Sequence, residues 1–309
     1  MEFFIHVGTN KTGTSAIQAF LHRNPNYLRA QGILYPTAGR DGDPAHHKIA
    51  HLSPQSLHDW VAEVEREAEA QELSKIVLSS EAFHTTNPEN LLFALSRHSI
   101  TTIAFVRDHP SYFSSWYRES IKNNYTTRSL YDFVRASSVP YGKWLREWPN
   151  TQVFKYDRKE LLNHSVVDQF MYAIDPEAPT PPPQWDENAS ISGNLLFAKQ
   201  VYNNFITPDQ MQPIHQNLME LLKLDPTFTG SMHIPDKTYQ LINKKYAYDR
   251  EVIKATYDID LTPPASAQNG NLTPDLSRWD QDLRTILAHC QENDYLFGKL
   301  LSKVFRTNF

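Results

Sequence analysis

Short apolar runs punctuate the first half of the chain, and each gives way to apolar residues spaced three and four apart. Phe3-Phe4-Ile5-His6-Val7 ends in Gly8, as a buried strand does, and Ile17, Phe20 and Leu21 then follow at helical spacing. Asn24-Pro25 restarts a helix that Gly32 ends. Ser53-Pro54 opens another, with Leu57, Trp60, Val61, Val64 and Ala68 on its apolar side. Lys75–Ser79, Thr101–Val106 and Thr151–Tyr156 read as further strands. Helices are predicted after Asn87-Pro88, after Pro110 (Phe113, Trp116, Tyr117, Ile121) and over Leu161, Leu162, Val166, Phe170 and Ile174.

Strands alternating with helices predict an α/β fold whose central parallel sheet is covered by helices on both faces. Ligand-handling residues are then expected just past the carboxyl ends of the strands. Ile33–Leu52 reads as one long loop, broken by Pro36, Gly39, Gly42 and Pro44 and carrying His46, His47 and His51. Five prolines between Pro176 and Trp185 predict a stiff connector. Beyond it only helical patterns occur, from Leu195/Val201/Tyr202 to Leu296/Leu300/Val304. The expected organisation is a core over 1–175, a connector over 176–187 and a helical extension over 188–309 packed on the core.

Composition narrows the ligand. The 309-residue chain has a net charge of −5, so no general basic field recruits nucleic acid, and an anion would need a few local cations and backbone donors. Cys290 is the single cysteine, which excludes an intrachain disulfide and suits a reducing compartment. The start lacks the features of a signal peptide, and no apolar stretch nears the ~20 residues of a membrane span. The expected location is cytoplasmic.

The segment Gly8-Thr9-Asn10-Lys11-Thr12-Gly13-Thr14-Ser15 lies between a predicted strand and a predicted helix. A Gly-x-x-x-x-Gly stretch there is how chains aim successive amides and a helix N-terminus at a phosphate, although a plain glycine turn has the same spacing. Nucleotide-hydrolysing loops place lysine directly after the second glycine. Here that position is Thr14, and the lysine is Lys11. Lys11-Thr12-Gly13-Thr14-Ser15 resembles instead the Lys-[Ser/Thr]-Gly-Thr-[Ser/Thr] loop of the PAPS-dependent sulfotransferases, where PAPS is 3′-phosphoadenosine 5′-phosphosulfate. The longer run His6 to Gln18 resembles bacterial members, carbohydrate sulfotransferases among them.

The resemblance implies a P-loop-like three-layer fold and assigns Asn10, Lys11, Thr12, Gly13, Thr14 and Ser15 to the cofactor loop. Lys11 would face the oxygen bridging phosphate and sulfate. The amides of Thr12 to Ser15, with the hydroxyls of Thr14 and Ser15, would hold the 5′-phosphate. It also assigns Arg107, at a strand end, and Ser115, eight residues on, to the 3′-phosphate; an Arg fork and a short hydroxyl suit one anion. Ser114 competes with Ser115, and Pro110 follows Arg107 by three residues where the family has two. Gly32–Pro36, Leu78–Glu81, Val153–Asp157, Asn188–Ser192 and Asn293–Leu296 extend the resemblance in order.

Sulfuryl transfer is an in-line displacement governed by positioning and charge stabilisation, so Lys11 would lower the barrier as the bridging oxygen gains charge. A base must take the acceptor's proton, and the candidates are Glu81, after the second predicted strand, and His46 or His47. No metal-ligand spacing stands out, and none is expected. Tyr112, Trp116, Tyr117, Tyr125 and Trp144 suit either sugar stacking or core packing, and Arg118 and Lys122 read as solvated helix cations. The resemblance thus implies release of PAP, the 3′,5′-bisphosphate, after transfer to an acceptor hydroxyl or amine. A carbohydrate is the first choice of acceptor and a small molecule or lipid the second. The competing readings are a P-loop kinase and a non-catalytic PAP-binding module.

Overall fold

The computed structural model describes residues 1–183, 190–207, 210–263 and 270–305. Five strands form one all-parallel sheet: β1 (Glu2–Val7), β2 (Ile33–Leu34), β3 (Lys75–Ser80), β4 (Ser99–Val106) and β5 (Thr151–Lys155), in the order β2-β3-β1-β4-β5. The predicted α/β sheet with helices around it is therefore present. The predicted loop over Ile33–Leu52 is corrected at its start, because Ile33 and Leu34 pair with Lys75 and Ile76 as an edge strand. At two residues, β2 is too short to show a period.

By contact, the chain divides into two compact units: Met1–Arg107, Val139–Trp185 and Ala247–Leu261 make the first, and Asp108–Ser138, Asp186–Tyr246 and Thr262–Phe309 the second. The first holds the sheet. Alternation along β1 sends Phe4 to one face and Phe3, Ile5 and Val7 to the other, all of them buried. On the Phe4 face, Val77, Ile103 and Phe105 meet Ile17, Phe20 and Leu21 of α1 (Thr14–Arg23), Leu28 of α2 (Pro25–Ala30), and Val167, Phe170 and Ile174 of α8 (Val166–Ile174). α3 (Pro54–Ala70) is capped by Ser53, whose Oγ accepts from Ser56 N, and it buries the five apolar residues its spacing predicts. Glu65 of α3 then meets Arg97 and His98, just past α4 (Glu89–Ala94).

The first unit also takes α7 (Tyr141–Leu145) and α12 (Ala247–Tyr257). Asp249 of α12 accepts from the amides of Tyr141 (3.0 Å) and Gly142 (2.9 Å), supplying α7 with the acceptors its first turn lacks. One element of the C-terminal third thus belongs with the sheet.

The second unit is helical: α5 (His109–Asn123), α6 (Leu130–Ala136), α9 (Gly193–Tyr202), α10 (Met211–Leu221), α11 (Asp236–Lys245), α13 (Trp279–Glu292) and α14 (Leu296–Phe305). Asp108 accepts from Ser111 N at 2.9 Å and so starts α5, with Pro110 in its first turn. Tyr112, Phe113, Tyr117 and Phe133 are buried core and pack ring against ring with the half-buried Trp116. Arg118 and Lys122, read as solvated from sequence, are buried; the Arg118 guanidinium donates to the carbonyls of Ser114 and Gly230. The Asn293–Leu296 turn joins α13 to α14, while Asn188 and Ala189 lie outside the described residues.

Lys199 of α9 is wholly buried, and its ammonium donates to Ile121 O at 3.1 Å and to Asn203 Oδ1. Burial pulls its pKa from 10.5 down to about 8. The folded state therefore holds the proton less tightly than the unfolded chain. The penalty is complete below about pH 8 and lifts as pH rises toward 10.5. Ile121 O also accepts from Asn203 Nδ2, so a neutral side chain at 199 leaves that carbonyl satisfied. Lys199→Met is expected to stabilise the protein by about 1–2 kcal/mol at pH 7. In thermal melts from pH 7 to 10.5 that advantage should disappear; a constant difference across the range would contradict the assignment.

Candidate functional site

The parallel sheet brings the carboxyl ends of β1, β3, β4 and β5 to one edge. From β1 the chain crosses toward β2 and β3, whereas from β4 it crosses to β5 on the other side. The connections diverge between β1 and β4, and ligands of open α/β sheets bind at such a point. Gly8–Gly13 follows β1 there, Glu81 follows β3 and Arg107 follows β4.

Two glycines shape the loop. A Cβ on Gly8 would lie 2.3 Å from the Thr14 methyl and 3.1 Å from His6 Nε2. Gly13 has φ 84°, and a Cβ on it would meet Tyr156 at 2.8 Å and Val166 at 2.9 Å. Lys11, between them, is also left-handed at φ 70°, a conformation that costs a non-glycine residue about 1–2 kcal/mol. Arg107 Nη1 donates to Lys11 O at 3.3 Å, and its guanidinium lies 5.5 Å from the centre of the Tyr156 ring. The strained turn is thus gripped from the end of β4, and Tyr156 supports both Gly13 and Arg107.

Gly13 is the N-cap of α1 and no side chain caps the helix. Its carbonyl accepts from Ala16 and Ile17, while the first amides of the helix are left for an external acceptor. Thr12 Oγ1 donates to Thr9 O at 2.8 Å. Thr14 Oγ1 donates to Glu81 Oε1 at 2.5 Å, across 67 residues of sequence. Both hydroxyl protons are therefore committed within the protein. The Thr14 hydroxyl, expected from sequence to face a phosphate, here donates to Glu81, and Ser15, which is exposed, carries the loop's outward hydroxyl. Asn10 is exposed as well, and Lys11 is half-buried. His6 Nε2 and Thr9 Oγ1 are buried beside the loop with no hydrogen-bond partner among the described residues.

Glu81 joins several segments. Besides Thr14, it accepts from Gln18 Nε2 at 3.0 Å, and His47 Nε2 lies 3.4 Å from its Oε2. Burial by itself would push its carboxyl pKa up, but the hydrogen bonds from Gln18 and Thr14, its own backbone amide and the His47 ring outweigh that and hold it low. The group stays ionised at neutral pH, which makes it a good charge and a weak base. Its backbone carbonyl meets His84 Nδ1, and the His84 ring also reaches the Gly8 backbone.

The two candidate histidines part company. His46 is fully buried: Ser79 N donates to its Nδ1 at 3.3 Å, so Nε2 carries the proton and donates to Pro36 O at 3.1 Å. Burial drives its pKa down to about 3. With both nitrogens engaged and no exposed edge, His46 fixes the loop after β2 and is not placed to exchange protons with a ligand. His47 keeps 45% of its side chain exposed and has Nδ1 2.8 Å from Ser80 Oγ. Ser80 Oγ accepts from Ala82 N and has a second lone pair for an N–H at His47 Nδ1, the tautomer that leaves the Nε2 lone pair beside Glu81.

Sequence reading missed His6 and His84. The register that pairs His6 with Ser79 also gives the 2.8 Å contact of His6 Nδ1 with Ser79 Oγ, and burial lowers the His6 pKa to about 4. The one available signal was a histidine inside an otherwise apolar strand. Ser115 lies in α5, in the second unit, and is half-buried; its neighbour Ser114 is buried. Among the described residues no group of three or more His, Cys, Asp or Glu is arranged to hold a metal ion, and no helix is long and apolar enough to cross a membrane.

No protein-family model matches the chain, and neither a curated protein nor a solved structure matches it. The functional reading therefore rests on the residues at this sheet edge.

Gly13→Ala should lower stability by about 2–3 kcal/mol, through the left-handed backbone and the collision with Tyr156 and Val166. Urea unfolding checks this: the midpoint should fall with an unchanged slope, and an unchanged midpoint would contradict the geometry.

Proposed function

We propose that the chain is a PAPS-dependent sulfotransferase whose cofactor loop is Gly8–Ser15. The carrying observation is the uncapped start of α1 behind two sterically obligatory glycines, with the lysine at 11 and a threonine at 14. His6 Nε2 below the loop and Thr9 Oγ1 within it, both buried without a hydrogen-bond partner among the described residues, fit a site that expects a polar ligand. The amides at the start of α1 and Ser15 Oγ would hold the 5′-phosphate, and Lys11 would meet the bridging oxygen. Arg107, already against the Lys11 carbonyl, would bring its remaining guanidinium donors to the 3′-phosphate.

PAPS supplies an activated sulfuryl group. In the transfer an acceptor O–S or N–S bond forms as the bridging S–O bond breaks, and PAP leaves with charge that Lys11 balances. His47, exposed and held at Nδ1 by Ser80, is the better-placed base: Nε2 would take the acceptor's proton, and Glu81 at 3.4 Å would balance the charge of the protonated ring. A carbohydrate hydroxyl remains the first choice of acceptor, on the resemblance alone.

One observation favours a second reading. Glu81 follows the strand next to β1 and bonds to the first residue of α1, where a P-loop kinase would want a magnesium-holding acid. The missing lysine at 14 speaks against it. Thermal shifts separate the two: PAP should raise the melting temperature and ATP–Mg should not, whereas the opposite pattern would overturn the sulfotransferase reading. Once an acceptor is found by screening with labelled PAPS, Lys11→Ala should reduce transfer about 100-fold or more while the fold is kept. Full activity in that variant would contradict the role of Lys11.

A further inference from the structure

The cradle has an unusual wall. An anion site built from a helix N-terminus draws its affinity from positive potential, yet here a carboxylate is fixed to that same helix. Glu81 is bonded through Oε1 to Thr14 Oγ1 at 2.5 Å and through Oε2 to Gln18 Nε2 at 3.0 Å, and both partners are on α1. Its side chain is only 14% exposed, so solvent screens the charge weakly. Among the described residues, the one titratable side chain in ion-pair range is His47, at 3.4 Å. Position 14, where nucleotide-hydrolysing loops carry a lysine, is the threonine that binds this carboxylate. A cation is thus absent and an anion present at the same point of the loop.

A terminal sulfo group and a terminal phosphoryl group have the same tetrahedral shape and the same oxygens, so backbone donors distinguish them poorly. They differ in charge: above pH 7 the sulfo group carries one negative charge and the phosphoryl group nearly two. A fixed, poorly screened carboxylate on the cradle wall penalises the second charge. Resting on the proposed cofactor, we infer that Glu81 is a specificity-determining residue through which the loop selects a singly charged sulfo group over a doubly charged phosphoryl group. Its bonds to Thr14 and Gln18 are what hold the charge in place.

The test is calorimetric binding at pH 8 without divalent cations, comparing PAPS with 3′-phosphoadenosine 5′-diphosphate, which differs only in the terminal group. The wild-type protein should bind PAPS about tenfold more tightly. Glu81→Gln retains a carbonyl for the Thr14 hydroxyl and should bring the ratio close to one, mainly by tightening the diphosphate. Glu81→Asp keeps the charge and should keep the preference. Equal affinities in the wild-type protein would overturn the inference however the variants behave, as would an unchanged ratio in folded Glu81→Gln. Binding of neither nucleotide would overturn the proposed function together with this inference. Binding of both without preference would remove this inference alone.

Discussion

The hydrogen bond from Thr14 to Glu81 ties the end of β3 to the first residue of α1, and the geometry of the sheet edge follows from it. Because β1 and β3 are in register, with Val7 opposite Ser80, the chain leaving each strand arrives at the same height. Glu81 is then one residue beyond its strand, within reach of the helix that the Gly8–Gly13 loop begins. Gln18, one turn further along α1, takes the second carboxylate oxygen and fixes the rotation of the helix. His47 and His84 attach the segments after β2 and β3 to the same residue. One ionised group thereby organises the loop, the helix and both flanking segments, which explains why its carboxyl is held low despite burial.

Strain and support are matched across the neighbouring gap. Lys11 and Gly13 both turn left-handed, so the loop doubles back tightly enough to expose amides instead of side chains. Arg107 and Tyr156, from the ends of β4 and β5, hold the outer side of that turn. The hydroxyls of Thr12 and Thr14 are consumed in making the loop rigid. Asn10 and Ser15 are the exposed side chains of that loop and Lys11 is half-buried; on the proposed function these, with the main-chain donors, make an anion site that is rigid before its ligand arrives.

Much of the fold was legible in the sequence because buried parallel strands are apolar runs and their covering helices carry clear stripes. β2 was not, since two residues cannot show a period. Arg118 and Lys122 were misread because helical spacing shows which way a side chain points but not what covers it. At the site, the loop and the residues at strand ends were visible through local motifs. The roles of Thr14, Glu81 and His46 were not, because each depends on partners tens of residues away: 67 for Thr14 with Glu81, and 33 for His46 with Ser79. The adjacent pair His46-His47 shows the limit most plainly. Neighbours in sequence, one is sealed under Tyr35 and Pro36 and the other opens to solvent beside the carboxylate.

On the proposed function, main-chain amides at the start of α1 form the binding surface for the phosphosulfate end of PAPS. Amide hydrogen exchange with and without PAP measures this directly. Slowed exchange is expected in the peptides covering Thr12 to Ala16, with a smaller effect around Arg107. Protection elsewhere with none in that loop, or no protection at saturating PAP, would contradict it.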